Sequence, residues 1–105
     1  MSGAAVLLAS IALAASGPTQ GSANVWGGDQ SCATWLSNQT ERAAGNWWVW
    51  GFWSGLNAQV AGNVGHSTDA NGIIGEVKLY CDTAPSTTLI SATNQVYKRF
   101  KAAGR

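Results

Sequence analysis

The side chains able to do chemistry are few, and their spacing fits little catalysis. His66 is the only histidine, and it sits in the loop GNVGHSTD with Ser67, Thr68 and Asp69 beside it. A Ser–His–Asp triad would need its nucleophile on a strand-to-helix elbow, and no G-x-S-x-G is present. Ser54, in Trp53-Ser54-Gly55, falls inside a helical pattern, which is the wrong context. The simpler reading makes His66 a solvated loop residue and Asp69 a helix cap. The five carboxylates Asp29, Glu41, Asp69, Glu76 and Asp82 include no pair marked out for glycoside hydrolysis. Gly62 and Gly65 lack the following Lys and the preceding strand of a phosphate loop. One His and two Cys leave too few ligands for an ordinary protein-only zinc site. The sequence therefore predicts no catalytic residue, no bound metal and no cofactor.

Binding is better provided for. Trp47, Trp48, Trp50, Phe52 and Trp53 fall within seven residues. Aromatic side chains bury about 150–250 Å² each, and a small domain needs that area, so Trp48, Phe52 and Trp53 are expected in the core. Trp50 differs, because at 100° per residue it shares an arc with Asn46, Ser54 and Asn57. An exposed Trp there would anchor a partner, rest under the N-terminal segment with Trp26, or stack on a sugar ring. Trp50, Trp47 and Asn57 are the candidate partner-binding residues. Lys98, Arg99, Lys101 and Arg105 form a second asymmetry, with four of the six basic residues in the last eight positions. They read as a helix end favoured by its dipole, with a weak contact to anionic lipid or an acidic partner as the alternative.

The elements that position these residues follow from pattern and composition. The chain has 105 residues, 10% of them charged, and a formal net charge of +1. That balance excludes a nucleic-acid binder working by phosphate neutralisation. An apolar fraction of 46% excludes a wholly disordered chain. Ala4–Ala15 reads AAVLLASIALAA, the length of a signal-peptide core and too short to span a bilayer. A cleaved leader over 1–23 is expected, followed by one domain over 24–105 with no integral membrane segment. No Lys or Arg precedes the apolar run, so an ordinary buried helix is the other reading. Export would place Cys32 and Cys81 where they pair, against the alternative of two unrelated buried thiols.

Four helices are predicted, at about 29–40, 46–61, 69–81 and 86–103, giving an all-α fold. Trp48, Val49, Phe52, Trp53, Leu56 and Val60 make the apolar arc of the second helix. Gly51 and Gly55 make a stripe without bulk, read as a site of close helix packing inside the domain. Ile73, Ile74, Val77, Tyr80 and Cys81 form the clearest apolar face. Leu89, Ala92, Val96 and Phe100 form the last, with Gly104 suited to the position after the helix end.

As a set, these features resemble a known group. They comprise an export segment, Cys32 followed by Trp35-Leu36, and Trp50-Gly51-Phe52-Trp53-Ser54-Gly55-Leu56-Asn57. Thr68-Asp69 then opens a helix ending Leu79-Tyr80-Cys81, before Pro85 and a final amphipathic helix. The pattern, over about Ser31 to Phe100, is similar to the small secreted bacterial proteins of the HdeA/HdeB type. It is similar also to the Rap/Tai immunity proteins of type VI secretion. The resemblance implies a small helical bundle clamped by a Cys32–Cys81 bond, in the periplasm or secreted. It implies a non-catalytic, protein-binding role, as a stress chaperone or, alternatively, as an immunity protein that neutralises one toxin. A homodimer is left open. The acid switch of HdeA-like proteins needs carboxylates that titrate between two states, and five offer little charge to switch.

Overall fold

The computed structural model describes residues 27–60 and 62–105. The expected leader over 1–23, Trp26 and the expected end of the second helix at Ala61 lie outside the described residues. The described chain is all-α: α1 (Cys32–Trp35), α2 (Gln39–Gln59), α3 (Ala70–Thr83) and α4 (Leu89–Ala102). No strand is present among the described residues, only an isolated antiparallel bridge between Ser31 and Thr88.

The first helix is one turn rather than three. Short polar side chains compete with helical hydrogen bonds through their own local ones, and here they win. The Ser37 hydroxyl donates to the Thr34 carbonyl at 2.7 Å. Asn38 caps α2, its Oδ1 accepting from the Glu41 amide at 2.9 Å. The polar stretch around Glu41 and Arg42, which falls between the first two expected helices, is thus the first turn of a 21-residue helix, with Glu41 placed favourably at its positive end. Asp69 caps α3 as expected, accepting from the Gly72 amide at 2.9 Å. Thr88 caps α4, which therefore starts slightly later than the expected 86.

The core is built from the predicted faces. Val49 and Trp53 of α2, Ile73, Val77 and Cys81 of α3, and Leu89, Ala92, Val96 and Phe100 of α4 are all buried. Trp48, Leu56 and Val60 pack against them from the same arc of α2, and Phe52 stacks on Trp48 with ring centroids 4.9 Å apart. Cys32 and Cys81 form a disulfide across 49 residues, with Cα atoms 5.3 Å apart. It ties α1 to the end of α3.

The starts of α1 and α4 complete each other. Every helix leaves its first amide groups without an intrahelical acceptor. The amides of Cys32 and Ala33 donate to the carbonyls of Thr87 and Pro85 at 2.8 and 2.9 Å. In return, the amides of Leu89 and Ile90 donate to the carbonyls of Gln30 and Gly28, both at 2.8 Å. Two segments distant in the chain thereby satisfy each other.

The expected packing role of Gly51 and Gly55 is corrected. Both are exposed, and a Cβ at either would meet no described residue. The helices pack on the Val49–Trp53–Leu56 arc, because that side offers apolar area and the glycine stripe offers none. Close approach occurs instead at Gly45, which is buried under the Trp35 indole so that a Cβ there would overlap the ring. Gly45→Ala is accordingly expected to cost about 1–3 kcal/mol by overpacking. Gly51→Ala and Gly55→Ala should each gain about 0.5–1 kcal/mol from the lost backbone entropy of glycine. Urea denaturation of the three single variants checks both signs.

Candidate functional site

The arc of α2 that carries Asn46, Trp50, Ser54 and Asn57 was expected to face water. Trp50 and Asn57 reach neighbouring carbonyl groups instead, and Asn46 accepts from the Trp35 indole. The Trp35 indole N–H is shared between the Arg42 carbonyl at 3.2 Å and Asn46 Oδ1 at 3.1 Å. The Trp50 indole N–H donates to the Ala70 carbonyl, in the first turn of α3, at 2.8 Å. Asn57 uses both ends of its amide. Its Nδ2 donates to the Val64 carbonyl at 3.0 Å, and its Oδ1 accepts from the Tyr97 hydroxyl at 2.8 Å. Buried and half-buried polar groups are held by partners of this kind.

The three candidate partner-binding residues therefore separate. Asn57 is corrected to a structural residue, since its amide is engaged inside the fold. Trp50 is half-buried and pinned at its nitrogen. Trp47 is 73% exposed and stands edge-on to Trp50, with ring centroids 5.2 Å apart and planes at 86°. The pair makes an aromatic edge on the surface of α2, with Trp47 its accessible member. Among the described residues Leu79, on α3, is the other large exposed apolar side chain.

Trp53 organises the neighbouring loop from below. It is 3% exposed and lies edge-on to Tyr97 and Phe100. Its indole N–H donates to the Val64 carbonyl at 2.9 Å, the same oxygen that accepts from Asn57. Gly65 follows with φ +97°, where a Cβ would also come within 3.2 Å of the Trp53 indole nitrogen. Only glycine takes that turn without strain. The amides of Gly65 and Ser67 both donate to the Arg105 carbonyl, at 3.2 and 3.3 Å. The His66 ring places Nε2 3.1 Å from the Gly104 carbonyl. His66 is thus exposed, as expected, and bound to backbone rather than to a serine hydroxyl. Asp69 caps α3 through Oδ1.

Burial pushes the Tyr97 hydroxyl pKa up from its ordinary value of 10.0. The folded state holds the proton more tightly than the unfolded chain, so this contribution is intact below that value and lost as pH rises through the folded one. Stability should fall in alkali from about pH 10 upward, and Tyr97→Phe should remove part of that fall. Denaturation midpoints measured across alkaline pH would show it.

The basic group at the end of α4 is partly engaged. Arg99 lies over the Tyr80 ring at 5.1 Å and Arg105 over the Phe100 ring at 4.0 Å. Cation–π contacts of this kind hold the side chains against the domain. Lys98 and Lys101 remain exposed. No helix among the described residues is long and apolar enough to cross a membrane.

An open cleft of about 420 Å³ lies between α2 and the 62–69 loop, with Trp50 on one wall and Asn63, His66 and Asp69 on the other. Sequence reasoning singled out Trp50, Ser54, Asn57, His66 and Asp69 but not Asn63, and did not bring them together, because their proximity depends on the Trp53 and Asn57 bonds to Val64. No protein-family model matches the chain, and no curated protein or solved structure matches it either.

Proposed function

We propose that this chain is a non-catalytic, protein-binding domain that works outside the cytoplasm. The observation that carries the reading is Trp47, a large aromatic side chain 73% exposed on a helix whose other aromatics are buried or half-buried. Tryptophan is over-represented among residues that dominate binding energy. The Cys32–Cys81 bond is compatible with an oxidising compartment, where such bonds persist. In the first reading the domain binds unfolded clients, in the manner of the HdeA/HdeB proteins it resembles, through Trp47 and exposed apolar groups such as Leu79. The second reading is an immunity protein of the Rap/Tai kind. It is favoured by the fixed orientation of Trp50, whose bond to Ala70 suits one shaped partner better than many.

Trp47→Ala should leave the thermal midpoint within about 1 °C of the parent, because exposed sites contribute little to stability. The same variant should lose suppression of aggregation toward at least two unrelated denatured proteins if the first reading holds. Retention of one partner from periplasmic extract, abolished by the substitution and with no suppression of aggregation, assigns the second. Unchanged behaviour of the variant in both assays defeats the proposal.

A further inference from the structure

The cleft beside Trp50 has a chemistry that protein binding through Trp47 does not use. One wall is the Trp50 indole, fixed in orientation by its bond to the Ala70 carbonyl. Ile73 adds apolar surface, while Ser54, Asn63, His66 and Asp69 supply polar groups around it. Several of these keep hydrogen-bonding capacity. Asp69 gives Oδ1 to the Gly72 amide, leaving its second oxygen as an acceptor. His66 meets Gly104 through Nε2, leaving Nδ1. Ser54 and Asn63 are exposed.

Charge narrows the ligand. Among the described residues no Lys or Arg lines the cleft, and Asp69 is its one carboxylate, so a phosphate or sulfate would find a repelling anion and no basic side chain. No group of three or more metal-ligating side chains occurs among the described residues. What remains is an aromatic wall with neutral and singly acidic hydrogen-bonding groups, in an open volume at the small end of ordinary ligand sites. An aromatic face carries partial negative charge and attracts weakly positive C–H groups. A carboxylate oxygen and an amide accept from and donate to hydroxyl groups.

We propose that this cleft binds one pyranose ring of a neutral glycan. The C–H face of the ring lies on Trp50, and its hydroxyls meet Asp69 and Asn63. This goes beyond the protein-binding reading, whose carrying residue, Trp47, touches Trp50 but does not line the cleft.

The test is a titration of the oxidised, isotope-labelled chain with cellotriose and with chitotriose, followed by NMR. At least one should give a saturable shift of the Trp50 indole N–H and of the amides in the 63–66 loop. The double variant Asp69→Asn, Asn63→Ala retains a capping residue at 69, so its thermal midpoint should hold. Its affinity should nevertheless fall by about tenfold or more. The double variant should keep the protein binding that Trp47→Ala removes, so the two readings fail separately. No saturable shift with either sugar, shifts that survive the double variant, shifts centred on Trp47, or equal shifts with inorganic phosphate would each overturn the proposal.

Discussion

Replacing Cys32 and Cys81 together with alanine is expected to lower the unfolding free energy by about 4 kcal/mol. A bond closing a loop of 49 residues removes that much chain entropy from the unfolded state. Alanine is the right replacement because both positions are buried, at 0% and 1% exposure, where a serine hydroxyl would need a partner. A domain this small holds about 5–10 kcal/mol in total, so the variant should lie close to its unfolding threshold at 37 °C. Urea titration of the double variant and of the reduced parent should give matching midpoints, both well below that of the oxidised parent. A shift of less than about 1 kcal/mol would show that the packing of α1, α3 and α4 suffices without the bond.

Trp53→Ala is the second large effect, expected at about 3–5 kcal/mol. The substitution removes a nearly buried indole, two edge-on contacts to Tyr97 and Phe100, and a hydrogen bond to Val64. Trp53→Phe separates these terms. It keeps an aromatic ring in place and loses the N–H, but the Val64 carbonyl still accepts from Asn57. Its cost from the hydrogen bond alone should therefore be about 1 kcal/mol, with further loss from the smaller ring. If alanine and phenylalanine cost the same, the indole contributes through its nitrogen rather than its area. Calorimetric midpoints for the two variants decide the matter.

What could be read from the sequence was what periodicity controls. The faces Ile73–Val77–Cys81 and Leu89–Ala92–Val96–Phe100 are buried as their spacing implies, and the Asp69 cap stands where its residue type favours it. The two cysteines fall on faces that meet. Periodicity failed where a polar side chain met a hydrogen-bonding group from elsewhere in the chain. Asn46 and Asn57 sit on an arc that looks like a solvent face, yet their partners are Trp35, Val64 and Tyr97. A spacing rule records which residues share a side of a helix, not what is opposite them. The glycine stripe misled for the same reason, since small residues fit both close packing and open water. The boundary at Ser37-Asn38 was legible in principle, because both are residues that leave helices for local hydrogen bonds.

The mutual completion of the α1 and α4 starts bears on how the molecule assembles. Neither end satisfies its first amides without the other, and the Cys32–Cys81 bond keeps the two within reach, so the joint is expected to form and open as one event. Its amide protons, those of Leu89 and Ile90 above all, should exchange with solvent only when the two segments part. They would act as a built-in clock for opening at this end of the bundle, slow while the joint holds and fast once it separates.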